Sequence, residues 1–493
     1  SMKKEGQKHP NIILIVIDAL RARNLGCYGG ETNSSPNIDE LAKGGIQFAN
    51  CYACWNTTDQ SLTSIFSGRY PRTHGIVHHG DKVTPEDLMT FRKLKGKLLA
   101  EMLKEKGFKT YAVDWMGRWF KRGFDFYGYE RDKNIWQKFF YIVFTLPYVH
   151  LRYMAANISL LRIYSKKRKT SISSMWKGLK GVWNTFRFTF ELARVQDADY
   201  VTKLAQKLID DIKDDNFFLF LHYWDTHTPY NCPKKHMDRD KPRRGSIDII
   251  ASKYNGAVNY VDKCIGNLLT TLKNHKILED TLIIITSDHG ESLTEHEMFF
   301  DHHGLYEVTT HVPLIVFHPK LFSRPKKIQG LIQHVDLVPT VCDYVGINDK
   351  DLGCDGTSMK PLISGDREDI RDFAFFEESY VQRKIGLRNK THKYIYAPDG
   401  IGMCNYCQKV HAGVEELYDL ERDPEEMNNV VSENRIMATQ MRAKLDEVIQ
   451  KLNSKKQQLL RKKDSTKTNL EDLQDLADQK KIKKKLRSLG YMD

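Results

Sequence analysis

Asn11-Ile12-Ile13-Leu14-Ile15-Val16-Ile17-Asp18 is an apolar, mostly β-branched run that ends on a carboxylate. A strand that is apolar at successive positions, not at alternate ones, is buried on both faces. The run therefore predicts a central strand of a parallel sheet whose carboxyl end meets a polar edge. Similar runs recur at Lys109–Val113, Phe217–His222, Thr281–Thr286 and Val312–Phe317, with amphipathic stretches such as Leu94–Lys106 and Tyr254–Lys273 between them. This alternation predicts an α/β fold, a doubly wound and mostly parallel sheet flanked by helices. In that architecture ligands sit beyond the carboxyl ends of the strands. Asp18, His222, Asp225, His227, Asp288 and His289 all fall at such ends.

A chain of 493 residues that is 41% hydrophobic can bury a large core, which excludes a disordered or fibrous protein. The formal net charge of +13 is concentrated around 161–187 and 451–487, as expected of solvated helix faces in those segments. No stretch of 18 uncharged apolar residues occurs, so no membrane span is expected. The beginning, Ser1-Met2-Lys3-Lys4, has no apolar leader, and the nine cysteines are an odd, scattered set. The cysteine usage suits a reducing compartment, so a cytoplasmic location, or a peripheral-membrane one if the basic insertion described below meets a membrane, is expected, with a trimmed leader left open. No zinc finger, RNA-binding sheet signature or P-loop is present, and no nucleic-acid partner is expected.

The large α/β unit is expected over 8–369, interrupted at 131–195 by an aromatic and basic insertion containing Phe139-Phe140-Tyr141-Ile142-Val143-Phe144 and Lys166-Lys167-Arg168-Lys169. Such a stretch can form a helical lid or lie on an anionic membrane surface. Short strands at Phe373–Glu377, Ile385–Leu387, Tyr394–Ala397 and Glu416–Leu420, followed by a charged helix over 433–462, predict a smaller α+β domain at 370–462. A charged tail follows at 463–493. Cys404 and Cys407 with His411 have a zinc or disulfide spacing but no clear fourth ligand, so two free thiols are expected there.

Three segments carry chemistry. The strand ending in Asp18 leads into Asn24-Leu25-Gly26-Cys27-Tyr28-Gly29; the block Ser64-Ile65-Phe66-Ser67-Gly68-Arg69-Tyr70-Pro71-Arg72-Thr73-His74-Gly75 follows; and Thr286-Ser287-Asp288-His289-Gly290-Glu291 ends a later strand. With His222-Tyr223-Trp224-Asp225-Thr226-His227-Thr228-Pro229-Tyr230, Gly304-Leu305-Tyr306-Glu307 and Glu416-Leu417-Tyr418-Asp419-Leu420, the ordered series resembles the sulfatase branch of the alkaline phosphatase superfamily over roughly residues 10–460. The resemblance implies a divalent metal centre and an alkaline-phosphatase-like fold. It also implies a nucleophile ten residues before Gly68, which is Thr58.

Thr58 departs from the family pattern, in which a cysteine or serine followed by proline and arginine is matured to formylglycine. Thr58-Asp59-Gln60-Ser61-Leu62 offers no such pattern, and a threonine cannot be oxidised to that aldehyde. A threonine hydroxyl is what phosphodiesterase and phosphotransferase relatives use at the matching place. The resemblance is therefore taken to imply a metal-dependent hydrolase or transferase that acts on phosphodiesters or phosphomonoesters through a covalent Thr58 adduct. The alternatives are a sulfuric ester hydrolase and an inactive member that binds anions.

Asp18, Thr58, Asp288 and His289 are the expected metal ligands, and Ala19 stands where a second aspartate is common. A set this lean in carboxylates suits Zn²⁺ or Mn²⁺ better than Ca²⁺ or Mg²⁺. The family's leaving-group positions fall on His227 and on His302, which replaces the usual lysine, with His222 beside them as a further acid or base. Arg118, His303 and Asp225 are the expected substrate contacts, and Asp225, His227 and His303 leave a second metal open. The ester substrate is expected to be linked to a lipid or a glycan.

Overall fold

The computed structural model describes residues 9–94, 96–128, 197–228, 230, 232–236, 247–298, 301–322, 324–348, 353–379, 382–400, 410 and 413–461. The 131–195 insertion, the loop with Cys404, Cys407 and His411, and the 463–493 tail lie outside them. The seven cysteines among the described residues are free thiols. No helix among the described residues is long and apolar enough to cross a membrane.

The large unit is built on eight strands: β1 (Asn11–Ile17), β2 (Ile46–Tyr52), β3 (Lys109–Val113), β4 (Phe126–Gly128), β5 (Phe217–Tyr223), β6 (Thr281–Thr286), β7 (His311–Phe317) and β8 (Lys326–Gln333). They form one sheet in the order β4-β3-β5-β1-β6-β7-β2-β8. β1 pairs in parallel with β5 on one side and β6 on the other, Ile15 facing Leu221 and Ile285 across the two ladders. Its side chains alternate between two cores. Ile13, Ile15 and Ile17 join the cluster beneath the helices Ala198–Ile212 and Ile247–Asn274, and Ile12, Leu14 and Val16 join the cluster on the opposite face. This double burial is why the run is apolar throughout.

β7 runs antiparallel to both β6 and β2, so the sheet is mixed and mostly parallel. This reversal puts His311, at the start of β7, at the same edge as the carboxyl ends of β1, β5 and β6. β2 and β8, whose residue patterns mix polar and apolar side chains, fill the far side of the sheet. β8 pairs with β2 alone, and its exposed Lys326, Lys327 and Gln329 fit an edge strand with one face toward water.

The C-terminal strands β9 (Ala374–Glu378), β10 (Lys384–Arg388), β11 (His392–Tyr396) and β12 (Glu415–Asp419) form a separate antiparallel sheet in the order β12-β11-β10-β9. One face carries the helix Arg435–Arg461, which buries Ala438, Met441 and Leu445 in one cluster with Phe375, Leu387 and Leu417. The other face packs Phe376, Ile395 and Tyr418 with Tyr52, Leu305 and Tyr306 of the large unit. A fully buried Lys393 fastens the two, its Nζ 2.8 Å from Glu307 and 2.8 Å from Glu426. Two carboxylates offset the cost of burying one ammonium there.

Candidate metal centre and active site

Four adjacent strands deliver one polar residue each, or a pair, to the same edge. Asp114 follows β3, His222 lies near the end of β5, Asp18 follows β1, and Asp288-His289 follow β6. Thr58 opens the helix Thr58–Ser67, every residue of which is buried, so its hydroxyl sits at a helix N-terminus inside the protein. Thr58 Oγ1 lies 3.3 Å from Asp18 Oδ2 and 3.4 Å from His289 Nε2, and His289 Nε2 lies 3.5 Å from Asp288 Oδ2. Donors about 2.1 Å from a common centre in a tetrahedron are separated by about 3.4 Å. These three separations fit that figure.

The donor chemistry also fits a cation. Asp18 Oδ1 and Asp288 Oδ2 are buried and make no hydrogen bond, an expensive arrangement for carboxylates unless a positive charge faces them. His289 Nδ1 donates to the Gly290 carbonyl oxygen at 2.8 Å, which leaves the lone pair on Nε2, turned toward Thr58. Among the described residues, Asp18, Asp288 and His289 are the one such group whose ligand atoms gather within 4.8 Å of one another. Asp225, His227 and His303 do not gather in this way. Asp225 Oδ1 accepts from the Ala198 amide at 3.3 Å, and His303 Nδ1 lies 3.2 Å from Asp301 Oδ2.

The turns that carry these groups are set by the backbone. Ala19 has φ 56°, unusual for a residue with a Cβ, and its amide donates to Asp288 Oδ1 at 3.1 Å. The His289 amide donates to the same oxygen at 2.9 Å. Leu20 N donates to Ser287 Oγ at 2.9 Å, a second tie between the β1 and β6 ends.

Electrostatics follow from burial and crowding. Burial, joined by Asp288 and Glu291, pushes the Asp18 carboxyl well above the usual carboxylate range. For Asp288, burial works upward, but His289 and His222 outweigh it and hold the carboxyl low. Burial, with Asp301 adding to it, pushes Glu291 up as well. Burial lowers His227 to about 4 and, with His289 beside it, holds His302 well below the ordinary imidazole value. The His289 and His302 rings are 4.5 Å apart by centroid, and those of His227 and His302 6.3 Å apart. His227 Nδ1 donates to the Thr228 carbonyl at 2.8 Å, so the proton-accepting lone pair is on Nε2.

Arg118 is placed by Asp59, the residue after Thr58, with its Nε 3.2 Å from Asp59 Oδ1. The other Asp59 oxygen faces His79 Nδ1 at 3.0 Å and accepts from the Gly80 amide at 2.8 Å. His79 escaped the sequence reading, although its field lowers His227, His289 and His302. A buried carboxylate beside the expected nucleophile, which requires counter-charge, was the signal that could have found it.

A family model described as Sulfatase matches residues 10–347, and one described as N-sulphoglucosamine sulphohydrolase, C-terminal, matches residues 294–455. An N-acetylglucosamine-6-O-sulfatase of Bacteroides thetaiotaomicron is 24% identical, the alignment covering 87% of this chain and 84% of that one. An N-acetylgalactosamine-6-O-sulfatase of the same organism is 24% identical over 90% of this chain and 94% of that one. A solved structure described as a complex with its substrate D-glucosamine-2-N,6-O-disulfate aligns with a TM-score of 0.63 at 18% identity, covering 93% of this chain and 99% of that chain.

These relatives overturn the expectation of a phosphate-type ester, since the two curated relatives above, each matched over more than four-fifths of its length, carry sulfatase names. The physical reason lies in what the nucleophile decides. A threonine nucleophile would bear on how a covalent adduct is resolved, by incoming water instead of collapse to an aldehyde. It does not determine whether phosphorus or sulfur is attacked, because both present a tetrahedral oxyanion to the same donors.

Proposed function

The chain belongs to the sulfatase family, and on that footing we propose that it hydrolyses a sulfate ester carried by a sugar, with the Thr58 hydroxyl as the attacking group. The observation that carries the reading is the convergence of Thr58 Oγ1 on Asp18 Oδ2 and His289 Nε2, at 3.3 Å and 3.4 Å, within a chain matched by the family model. The sugar part of the reading draws on the names of the relatives, which act on N-acetylglucosamine and N-acetylgalactosamine sulfates.

Asp18, Asp288, His289 and Thr58 would hold one divalent ion, and two carboxylates with an imidazole favour Zn²⁺ or Mn²⁺. Such an ion supplies charge neutralisation for the ester oxygens and acidifies the hydroxyl. Thr58 Oγ1 attacks sulfur, and its proton passes to His227 Nε2. The bond from sulfur to the sugar oxygen breaks, and that oxygen takes the proton back from His227. Water then attacks the sulfo-threonine, giving a proton to His227; the sulfur–Oγ1 bond breaks, sulfate leaves and Thr58 recovers its proton. Burial keeps His227 neutral near pH 7, the state that accepts a proton in each half. His302, whose ring lies 4.5 Å from that of His289, is the residue we assign to the leaving-group side.

The test is release of inorganic sulfate from 4-nitrophenyl sulfate and from N-acetylglucosamine 6-sulfate by metal-loaded protein. Release from either that vanishes in Thr58→Ala supports the reading. No release from both, with metal bound, overturns it.

A further inference from the structure

Asp114 and His222 form a buried pair that the reaction above does not use. They continue the row of groups along the sheet edge, since Val113 faces Leu221 in the β3–β5 ladder and Val16 faces His222 in the β5–β1 ladder. His222 Nδ1 lies 3.0 Å from Asp114 Oδ1, and His222 Nε2 lies 3.8 Å from Asp18 Oδ2. Both side chains are inaccessible, and His222 Nε2 has no hydrogen-bond partner.

The tautomer decides what Nε2 can do. Two groups compete for Nδ1, the Asp114 carboxylate at 3.0 Å and the Trp224 indole N–H at 3.1 Å. Asp114 prevails on physical grounds. Were Nδ1 bare, a buried carboxylate oxygen would face a lone pair at contact distance, whereas a protonated Nδ1 gives Asp114 Oδ1 a charge-assisted bond. The other Asp114 oxygen is occupied by the Tyr127 hydroxyl. With its proton on Nδ1, His222 presents a lone pair at Nε2 toward Asp18 Oδ2. At 3.8 Å the two atoms are too far apart for a hydrogen bond, yet close enough for both to face one shared cation in a dry interior.

We propose that His222 is a further ligand of the metal centre, held in register by Asp114 as its orienting carboxylate. The inference rests on the metal centre of the reading above. A carboxylate–histidine pair aimed at a metal fixes the ring and raises its basicity.

The probe is Co²⁺ alone, read by its visible absorption and by its dissociation constant in the full chain. His222→Phe is expected to weaken Co²⁺ binding by about tenfold or more and to change the absorption spectrum, and Asp114→Asn to weaken binding by about tenfold. Unchanged or tighter binding with an unchanged spectrum in His222→Phe overturns the assignment. If that variant does not fold, Asp114→Asn decides alone by the same measure. Asp18→Asn separates the two levels. Loss of Co²⁺ there while the His222 and Asp114 variants bind normally removes His222 only, and normal binding in all three removes the metal centre itself.

Discussion

The Ala19 amide reaches across the edge of the sheet to Asp288 Oδ1 at 3.1 Å, so the turn after β1 and the turn after β6 are one hydrogen-bonded unit. Asp288, one of the expected metal carboxylates, is therefore positioned by two backbone donors, the Ala19 and His289 amides. Changes at either turn should be felt at both.

Gly290 gives the clearest case. A Cβ there would meet the Val308 carbonyl oxygen at 2.1 Å and Val308 C at 3.0 Å, backbone atoms with no rotamer to yield. Gly290→Ala is expected to destabilise the protein by at least about 2 kcal/mol and to lower metal affinity through His289. Chemical denaturation and Zn²⁺ titration check it, and an unchanged midpoint would mean the strand end shifts freely.

Thr58→Ala should lower turnover by about a thousandfold or more with an unchanged melting temperature, and Thr58→Ser should keep part of it. Ser61 is a poor substitute, because its hydroxyl already donates to the Trp55 carbonyl at 2.9 Å. Steady-state sulfate release and thermal melting of the same preparations provide the check.

Chelation should abolish activity, with Zn²⁺ or Mn²⁺ restoring it better than Ca²⁺, since the four donors include an imidazole and only two carboxylates. Asp18→Asn and Asp288→Asn should each lower metal content by elemental analysis. Full recovery with Ca²⁺ alone would contradict the donor set.

His296 links stability to pH. Its ring stacks on Tyr306 at 3.7 Å, and burial lowers it to about 4 from 6.5. The folded form thus binds the proton less readily than the unfolded chain. Its contribution is present above pH 6.5 and is lost as pH falls from 6.5 toward 4, by roughly 3 kcal/mol in all. His296→Asn, which tolerates the φ of 53° there, should flatten the fall in stability across that window, measured by urea unfolding at each pH.

What could be read in the sequence follows from burial. β1, β5 and β6 are legible because both of their faces are covered, which forces apolar residues at nearly every position. β2 and β8 are not, because Ile46-Gln47-Phe48-Ala49-Asn50 and Lys326-Lys327-Ile328-Gln329-Gly330 carry polar residues on a partly exposed side. The direction of β7 leaves no trace in side-chain pattern. Asp18, Thr58, Asp288 and His289 stand out by spacing and resemblance, and the fold brings their side chains together. The Asp114–His222 contact does not stand out, since it depends on β3 lying beside β5.

The strand order also fixes when this protein can become itself during synthesis. β1 is made before β5 and β6, yet Ile12 pairs with Phe218 and Asn11 with Thr281, so the most apolar strand waits for both neighbours until the residues up to Thr286 have left the ribosome. Contacts this distant in sequence close slowly, and an Ile-rich strand with two open edges is exposed to aggregation in the interval. Asp18 and Asp288 meet only at the end of that wait. A nascent chain therefore has no such centre to offer a metal, and loading must follow closure of the sheet.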